Sequence, residues 1–205
     1  MTTTTDRAAR LSAYSVAAGA ATLGAIAPAE GEVIIFSGAG ISIGQGLSQN
    51  IDIDGDGFQD INLQNFVFGN NYMGAQVNYF PGQLVISNNS FPYYVTALGD
   101  GDIVDASTVG PTFAGALAYG SNPSSEFDNA DGAFIGLSFP ANGNTYFGWV
   151  EVDIDQAAGT FFVSRWAYET QPGVGITIPE PASLGLLAAG AAGLAGYRGR
   201  RKASA

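Results

Sequence analysis

From residue 32 to residue 178 apolar and polar side chains alternate in short runs, and Gly, Asn, Asp and Pro repeatedly interrupt them. Runs rich in β-branched and aromatic residues predict strands over 33–36, 61–68, 73–79, 84–87, 112–119, 133–139, 145–154 and 160–168. Breakers fall between them, as in Gly69-Asn70-Asn71, Pro81-Gly82, Ser121-Asn122-Pro123 and Ala141-Asn142-Gly143-Asn144. This body offers no i, i+3, i+4 stripe of helical length and no fixed-period repeat. The clearest hairpin pairs 145–154 with 160–168. In its first strand Val150, Val152 and Ile154 share one face and Glu151 and Asp153 the other, as a half-buried strand requires. Short strands at this spacing predict an all-β fold, a single antiparallel β-sandwich of jelly-roll-like form. A chain of 205 residues leaves room for one such domain.

The two ends break this texture. Residues 11–27 are uncharged and Ala-rich, follow Arg7 and Arg10, and lead into Ala27-Pro28-Ala29. That order predicts a secretory signal helix over 1–29, removed by signal peptidase before Glu30; the alternative is an amphipathic first helix of the fold. At the other end Pro179-Glu180-Pro181 is stiff and extended, because each proline fixes its own φ and biases its predecessor away from helix. Residues 182–197 then form an uncharged Ala/Gly/Leu stretch, closed by Arg198, Arg200, Arg201 and Lys202. As a short hydrophobic helix it spans about 24 Å, less than the roughly 30 Å of a bilayer's hydrocarbon core. Its basic end would stay cytoplasmic, which suits a temporary membrane anchor. The expected organisation is therefore 1–29 signal, 30–178 body and 179–205 tail.

Composition narrows the chemistry. The chain has no Cys and no His, which excludes disulfides, thiolate zinc sites, cysteine nucleophiles and Ser-His-Asp catalysis. Of its eighteen acids only Asp6 and Glu180 lie outside the body, whereas Arg165 is the only base inside it. A body so acidic repels phosphate backbones and excludes nucleic acid as a partner, while it attracts divalent cations.

With both ends read, the tail resembles the PEP-CTERM sorting signal of Gram-negative bacteria: the Pro179-Glu180-Pro181-Ala182-Ser183 motif, a short apolar run and an arginine cluster, in order. The resemblance implies recognition by the membrane-embedded enzyme exosortase, a transient stay in the inner membrane, and delivery to the cell envelope, surface or extracellular matrix. Proteins of this kind often accompany exopolysaccharide production and biofilm formation. Within the body, residues 132–139, 146–152 and 166–169 loosely resemble an uncharacterised PEP-CTERM ectodomain. That likeness implies a β-sandwich and no particular activity.

One motif carries chemistry. Residues 52–60 read D-x-D-G-D-G-x-x-D. Calcium takes six to eight hard oxygens, and loops of this spacing supply them from positions 1, 3, 5, 7 and 9, with Gly at 6 for the turn. Here those places are Asp52, Asp54, Asp56, the Phe58 carbonyl and Asp60, with Gly57 at the turn. Position 12 is Leu63 rather than a bidentate Glu, and a strand follows, so the loop resembles the calcium loops of FG-GAP-type β-proteins. The competing reading is a solvated acidic turn. Two further clusters, Asp100, Asp102 and Asp105, and Glu126, Asp128 and Asp131, lack the full pattern and read as ordinary acidic loops.

Tyr146, Trp149, Trp166 and Tyr168 concentrate on the best hairpin. They are either core and cross-strand pairs or an exposed platform that stacks sugar rings. Three function classes follow. The first is a structural or adhesive envelope protein stiffened by calcium. The second is a glycan-binding module, with the aromatic hairpin and the Asn-rich loops as its surface. The third and weakest is a two-carboxylate glycoside hydrolase, for which Glu126, Glu151 and Glu169 are candidates but no pair stands out.

Overall fold

A computed structural model describes residues 32–88, 91–120 and 122–180, all within the compact unit that begins at Glu32. The signal helix, the hydrophobic tail helix and the basic cluster lie outside the described residues. Those residues form twelve strands and no helix. The named strand pairings are all antiparallel, and the fold is a sandwich, as the alternation predicts.

The larger sheet combines β1 (Val33–Ser42), β11 (Thr160–Glu169), β10 (Asn144–Asp155), β9 (Asn129–Ala141) and β5 (Gln83–Leu84) in that spatial order, with β6 (Ala97–Leu98) also paired to β9. The smaller sheet is a meander of β2 (Leu47–Ile51), β3 (Ile61–Val67) and β4 (Asn71–Val77), completed by β8 (Ala114–Tyr119). β9 turns into β10 through Asn142 (φ 50°) and Gly143 (φ 75°), while Ala141 pairs with Asn144. Two successive left-handed residues make the primed turn whose twist matches a hairpin, which is why Asn-Gly stands there.

Between the sheets lies the main core. Ile61, Leu63, Met73, Ala75 and Val77 face Ile135, Leu137, Phe139, Val150, Val152, Ile154, Phe161 and Val163, all buried. Asn65 replaces an apolar residue in this layer and is fully buried; its amide donates to the carbonyls of Ile43 at 2.8 Å and Gly159 at 3.0 Å. It thereby ties β3 to the exit of β1 and to the β10–β11 turn of the larger sheet.

The outer face of the larger sheet is covered as well. A ribbon of β7 (Ile103–Val104) and β12 (Ile176–Thr177) lays Val104, Ile176 and Ile178 over Phe134, Phe147, Trp149 and Ala167. β10 is therefore buried on both faces along its first half, which the half-buried alternation does not anticipate. Trp149 is fully buried, meets Phe134 edge-on at 5.1 Å between centroids, and carries the Arg165 guanidinium 5.6 Å above its ring. Arg165 is also ion-paired with Glu151, so the body's one base is committed to this layer.

Trp149→Ala removes the largest side chain of this second core and is expected to cost about 3–5 kcal/mol. Phe162→Ala, on a partly exposed position of the neighbouring strand, should cost less than half of that. Urea denaturation of both variants checks the ranking.

Candidate functional site

The acidic loop joins β2 to β3, where the smaller sheet ends and the chain must reverse over the rim of the core. Alternation along β2 continues into the loop: Ile51 and Ile53 point inward and are buried, while Asp52 and Asp54 turn outward and are half-buried. Ile53 lodges against Gly148, where a Cβ would stand only 3.5 Å from its Cγ2 and 2.8 Å from the Ala167 carbonyl. The close Ala167 carbonyl of β11 requires glycine at 148, and Ile53 packs over it at ordinary contact distance.

Backbone N–H groups then set the carboxylates. Asp52 accepts from Gly55 at 2.7 Å through one oxygen and from Gly57 at 2.8 Å through the other. Asp54 accepts from Asp56 at 3.1 Å, and Asp56 from Phe58 at 2.8 Å. Gly55 (φ 77°) and Gly57 (φ 95°) sit in the left-handed region, which lets the chain coil around its own acids. Asp60 closes the ring: it is buried, and its Oδ2 accepts from the N–H of Ile53 at 2.7 Å.

The result is a group of three carboxylates, Asp52, Asp54 and Asp60, whose ligand atoms lie within 4.8 Å of one another. Asp56 stands outside that group and is exposed, as are Gly57 and Phe58. Burial pushes the Asp60 carboxyl up to about 7, against the lowering bond from Ile53, with the charges of Asp54, Asp52 and Asp56 adding to the rise. Asp54 is raised too, chiefly by burial and then by its acidic neighbours. Such a cluster can bind a hard cation, which would relieve both repulsion and desolvation.

Beneath the loop runs a chain of rings that spacing alone does not assemble. Phe36 stacks on Trp166 at 5.8 Å and on Tyr168 at 6.5 Å, and Tyr168 meets Tyr146 edge-on at 6.4 Å. The Phe36 ring approaches Gly55. Burial raises the Tyr168 phenol, with the Asp54 charge adding to it. The four hairpin aromatics are thereby divided. Tyr146, Trp166 and Tyr168 lie half-buried on the inner face, but Trp149 is fully buried on the opposite face. An exposed platform of all four is not what the fold builds. Parity along β10 already sets Tyr146 and Trp149 on opposite faces; what it does not show is the register, in which Trp149 pairs with Ala167 and Trp166 with Val150, or the cover over Trp149.

Several of the other acids hold turns and strand edges in place. Asp105 accepts from the Ser107 hydroxyl at 2.7 Å and from the N–H groups of Ser107 and Thr108, bonds that hold its carboxyl below the usual range. Asp102 accepts from Gly99 at 2.8 Å, and Glu126 from Ala97 at 2.9 Å. Glu169 is buried and accepts from Gln171 at 2.8 Å, and Glu151 pairs with Arg165.

Among the described residues the last anchored one is Ile178: it is fully buried, donates to Asp102 at 2.8 Å and accepts from Gly101 at 3.1 Å. Pro179 and Glu180 follow at the surface, Glu180 exposed. Residues 177–202 match the PEP-CTERM protein-sorting motif. The chain carries a PEP-CTERM tail. The PEP-CTERM motif assigns it to the exported proteins that exosortase processes and sorts to the cell envelope or surface. No curated protein and no solved structure matched the chain. Arg198, Arg200 and Arg201 belong to the matched segment and lie outside the described residues.

Two outcomes follow from these geometries. In metal-free protein Asp60 holds its proton up to about pH 7 when folded but only to the ordinary 3.8 when unfolded. The folded state therefore binds more protons between those values, and stability should fall as pH rises through that window and level off above it. Urea melts in chelator at pH 5 and pH 8 should show the lower stability at pH 8, and Asp60→Asn should flatten the difference. Deleting residues 179–205 of the PEP-CTERM protein keeps Ile178 in place, so the fold should persist while envelope delivery is lost, as cell fractionation would read.

Proposed function

We propose that the body is a non-enzymatic structural protein of the envelope or its extracellular matrix, clamped by calcium at the 52–60 loop. The observation that carries this reading is the convergence of Asp52, Asp54 and Asp60 to within 4.8 Å on a loop whose backbone already orients them. Calcium suits the donor set, since it prefers carboxylate and carbonyl oxygens and tolerates irregular geometry. Asp56 and the Phe58 carbonyl occupy the remaining places of the spacing, on the exposed side of the loop. The ion would neutralise charges that otherwise oppose the closure of β2 onto β3. It would also fasten the loop over Phe36 and Tyr168, at the end of the sandwich where the rings are otherwise only half-covered.

This role agrees with the setting that the tail implies. An exported protein meets calcium at concentrations that weak extracellular modules, with Kd of about 10⁻⁴–10⁻³ M, are built to use. In this reading the host is Gram-negative, signal peptidase cuts before Glu30, and an adhesive or load-bearing surface rather than turnover is the product of the fold.

Calcium at about 100 times its Kd should stabilise the full chain by about 2.7 kcal/mol, a rise in Tm of roughly 5–10 °C over chelator. Asp54→Asn, which keeps the shape of the half-buried ligand, should abolish most of that rise. A melting temperature indifferent to calcium in the unmutated protein would remove the clamp from this account.

A further inference from the structure

The smaller sheet shows its outer face to solvent, and that face is unlike the rest of the body. Residues 61–99 and 106–125 contain no Asp, Glu, Lys or Arg, although the body holds sixteen acids. These two spans supply β3, β4, β8 and the segment around Tyr94, which bridges Ala116 in parallel at the far side of β8. In place of charges the face carries rings and amides.

The rings enclose a trough. β8 is low here: Ala114 and Ala116 stand opposite Gln76 and Gly74 of β4 and form a floor of methyl groups. Tyr72 rises on one side, lying across Gly74 and braced by Phe68 at 5.5 Å and Tyr119 at 5.9 Å between centroids. Tyr93 rises on the other, edge-on to Phe91 at 6.3 Å. The space between them is about 230 Å³. It is continued along the same face by a second depression of about 250 Å³, where Gln76 meets the exposed Phe80 and Phe113.

Beside the trough lies a ladder of amides already oriented by mutual hydrogen bonds. Asn62 donates to Asn50 at 3.0 Å, Gln64 donates to Asn62 at 2.9 Å, and Asn78 donates to the Gln59 carbonyl at 2.7 Å. Gln76 stands between Asn62 and Ala114 in the register, so it faces both ladder and trough.

We propose that this trough binds an extended segment of a neutral polysaccharide. Charge selects the ligand: the face offers no ion pair to a polyanion, and the acidic remainder of the body repels one. A pyranose ring has an apolar C–H face and a rim of hydroxyls, which match an aromatic wall and an adjacent amide row respectively. The two depressions run on from each other along β4 and β8, which favours a chain over a single sugar. The site is distinct from the hairpin aromatics, and it meets the calcium loop only where the Gln59 carbonyl holds Asn78, so binding should not require calcium.

Affinity electrophoresis of the full chain in mild detergent tests it, with dextran, a β-1,3-glucan and galactomannan as neutral polymers and alginate as the charged one, each with calcium and with chelator. At least one neutral polymer should retard the protein, and alginate should not. Tyr93→Ala should weaken the retardation by up to about tenfold. Ala114→Trp fills the floor while leaving every ring in place, and should abolish it with an unchanged melting temperature. Retardation by none of the neutral polymers, or retardation that survives Ala114→Trp, overturns the proposal. So does a concentration-dependent dimer that Ala114→Trp dissociates, since the face would then pair with a second copy. Loss of binding in chelator alone would count against the clamp's independence from the trough and overturn that part of the assignment.

Discussion

At the rim of the core the N–H of Ile53 meets the buried carboxylate of Asp60 at 2.7 Å, and the geometry of the whole acidic loop follows from that contact. A carboxylate withdrawn from water loses solvation that one hydrogen bond does not fully restore, which is why the group titrates near 7 instead of near 3.8. The expense is tolerated because the same bond holds Ile53 in the core, against Gly148, and so forces its neighbours Asp52 and Asp54 outward on the same side as Asp60. Convergence of the three acids is a by-product of strand alternation that ends in a buried anchor. Remove the anchor, and what remains is a flexible acidic turn.

A second constraint divides the surfaces. The middle of the larger sheet, around Phe134, Phe147, Trp149 and Ala167, is covered on both faces, by the opposite sheet and by the β7–β12 ribbon, and the fold is three layers thick at Trp149. The smaller sheet has one cover only. Where the outer layer exists the chain places its ion pair, Glu151 with Arg165, at the rim; where it does not, the chain places rings and amides without a single charge. Solubility of the body is then carried by acidic loops and edges, which leaves one broad face free for contact with something uncharged.

Much of this could be read from the residues, and the failures have physical causes. Eight expected strands correspond to β1, β3, β4, β5 and β8 to β11, and the Asn142-Gly143 turn announced its hairpin. β2 escaped because Leu-Ser-Gln-Asn-Ile shows mostly its solvent face to a hydropathy reading. β6, β7 and β12 escaped because two residues have no period. The burial of Trp149 depends on Val104, Ile176 and Ile178, far away in sequence, so composition could only say that the hairpin was aromatic. In the acidic loop the structure brings Asp52, Asp54 and Asp60 of the spacing together, whereas Asp56 accepts from the Phe58 N–H and stands outside that group, a choice made by local backbone. The trough was invisible: its floor is three small residues of β8, and its walls come from β4 and from residues 91–93, brought together only by the sheet.

The position of Ile178 links this architecture to sorting. Its hydrogen bonds to Gly101 and Asp102 close the β7–β12 ribbon immediately before Pro179, so the matched segment overlaps the outer layer by Thr177 and Ile178 and leaves it at the Pro-Glu-Pro triplet. Two prolines flanking Glu180 prevent the strand from running on into the tail and hold the motif extended and accessible. Any cut upstream of Ile178 would strip the cover from Trp149 and Phe147 and expose the second core to water. The end of the described body is therefore set by packing, and it falls immediately before the Pro-Glu-Pro triplet.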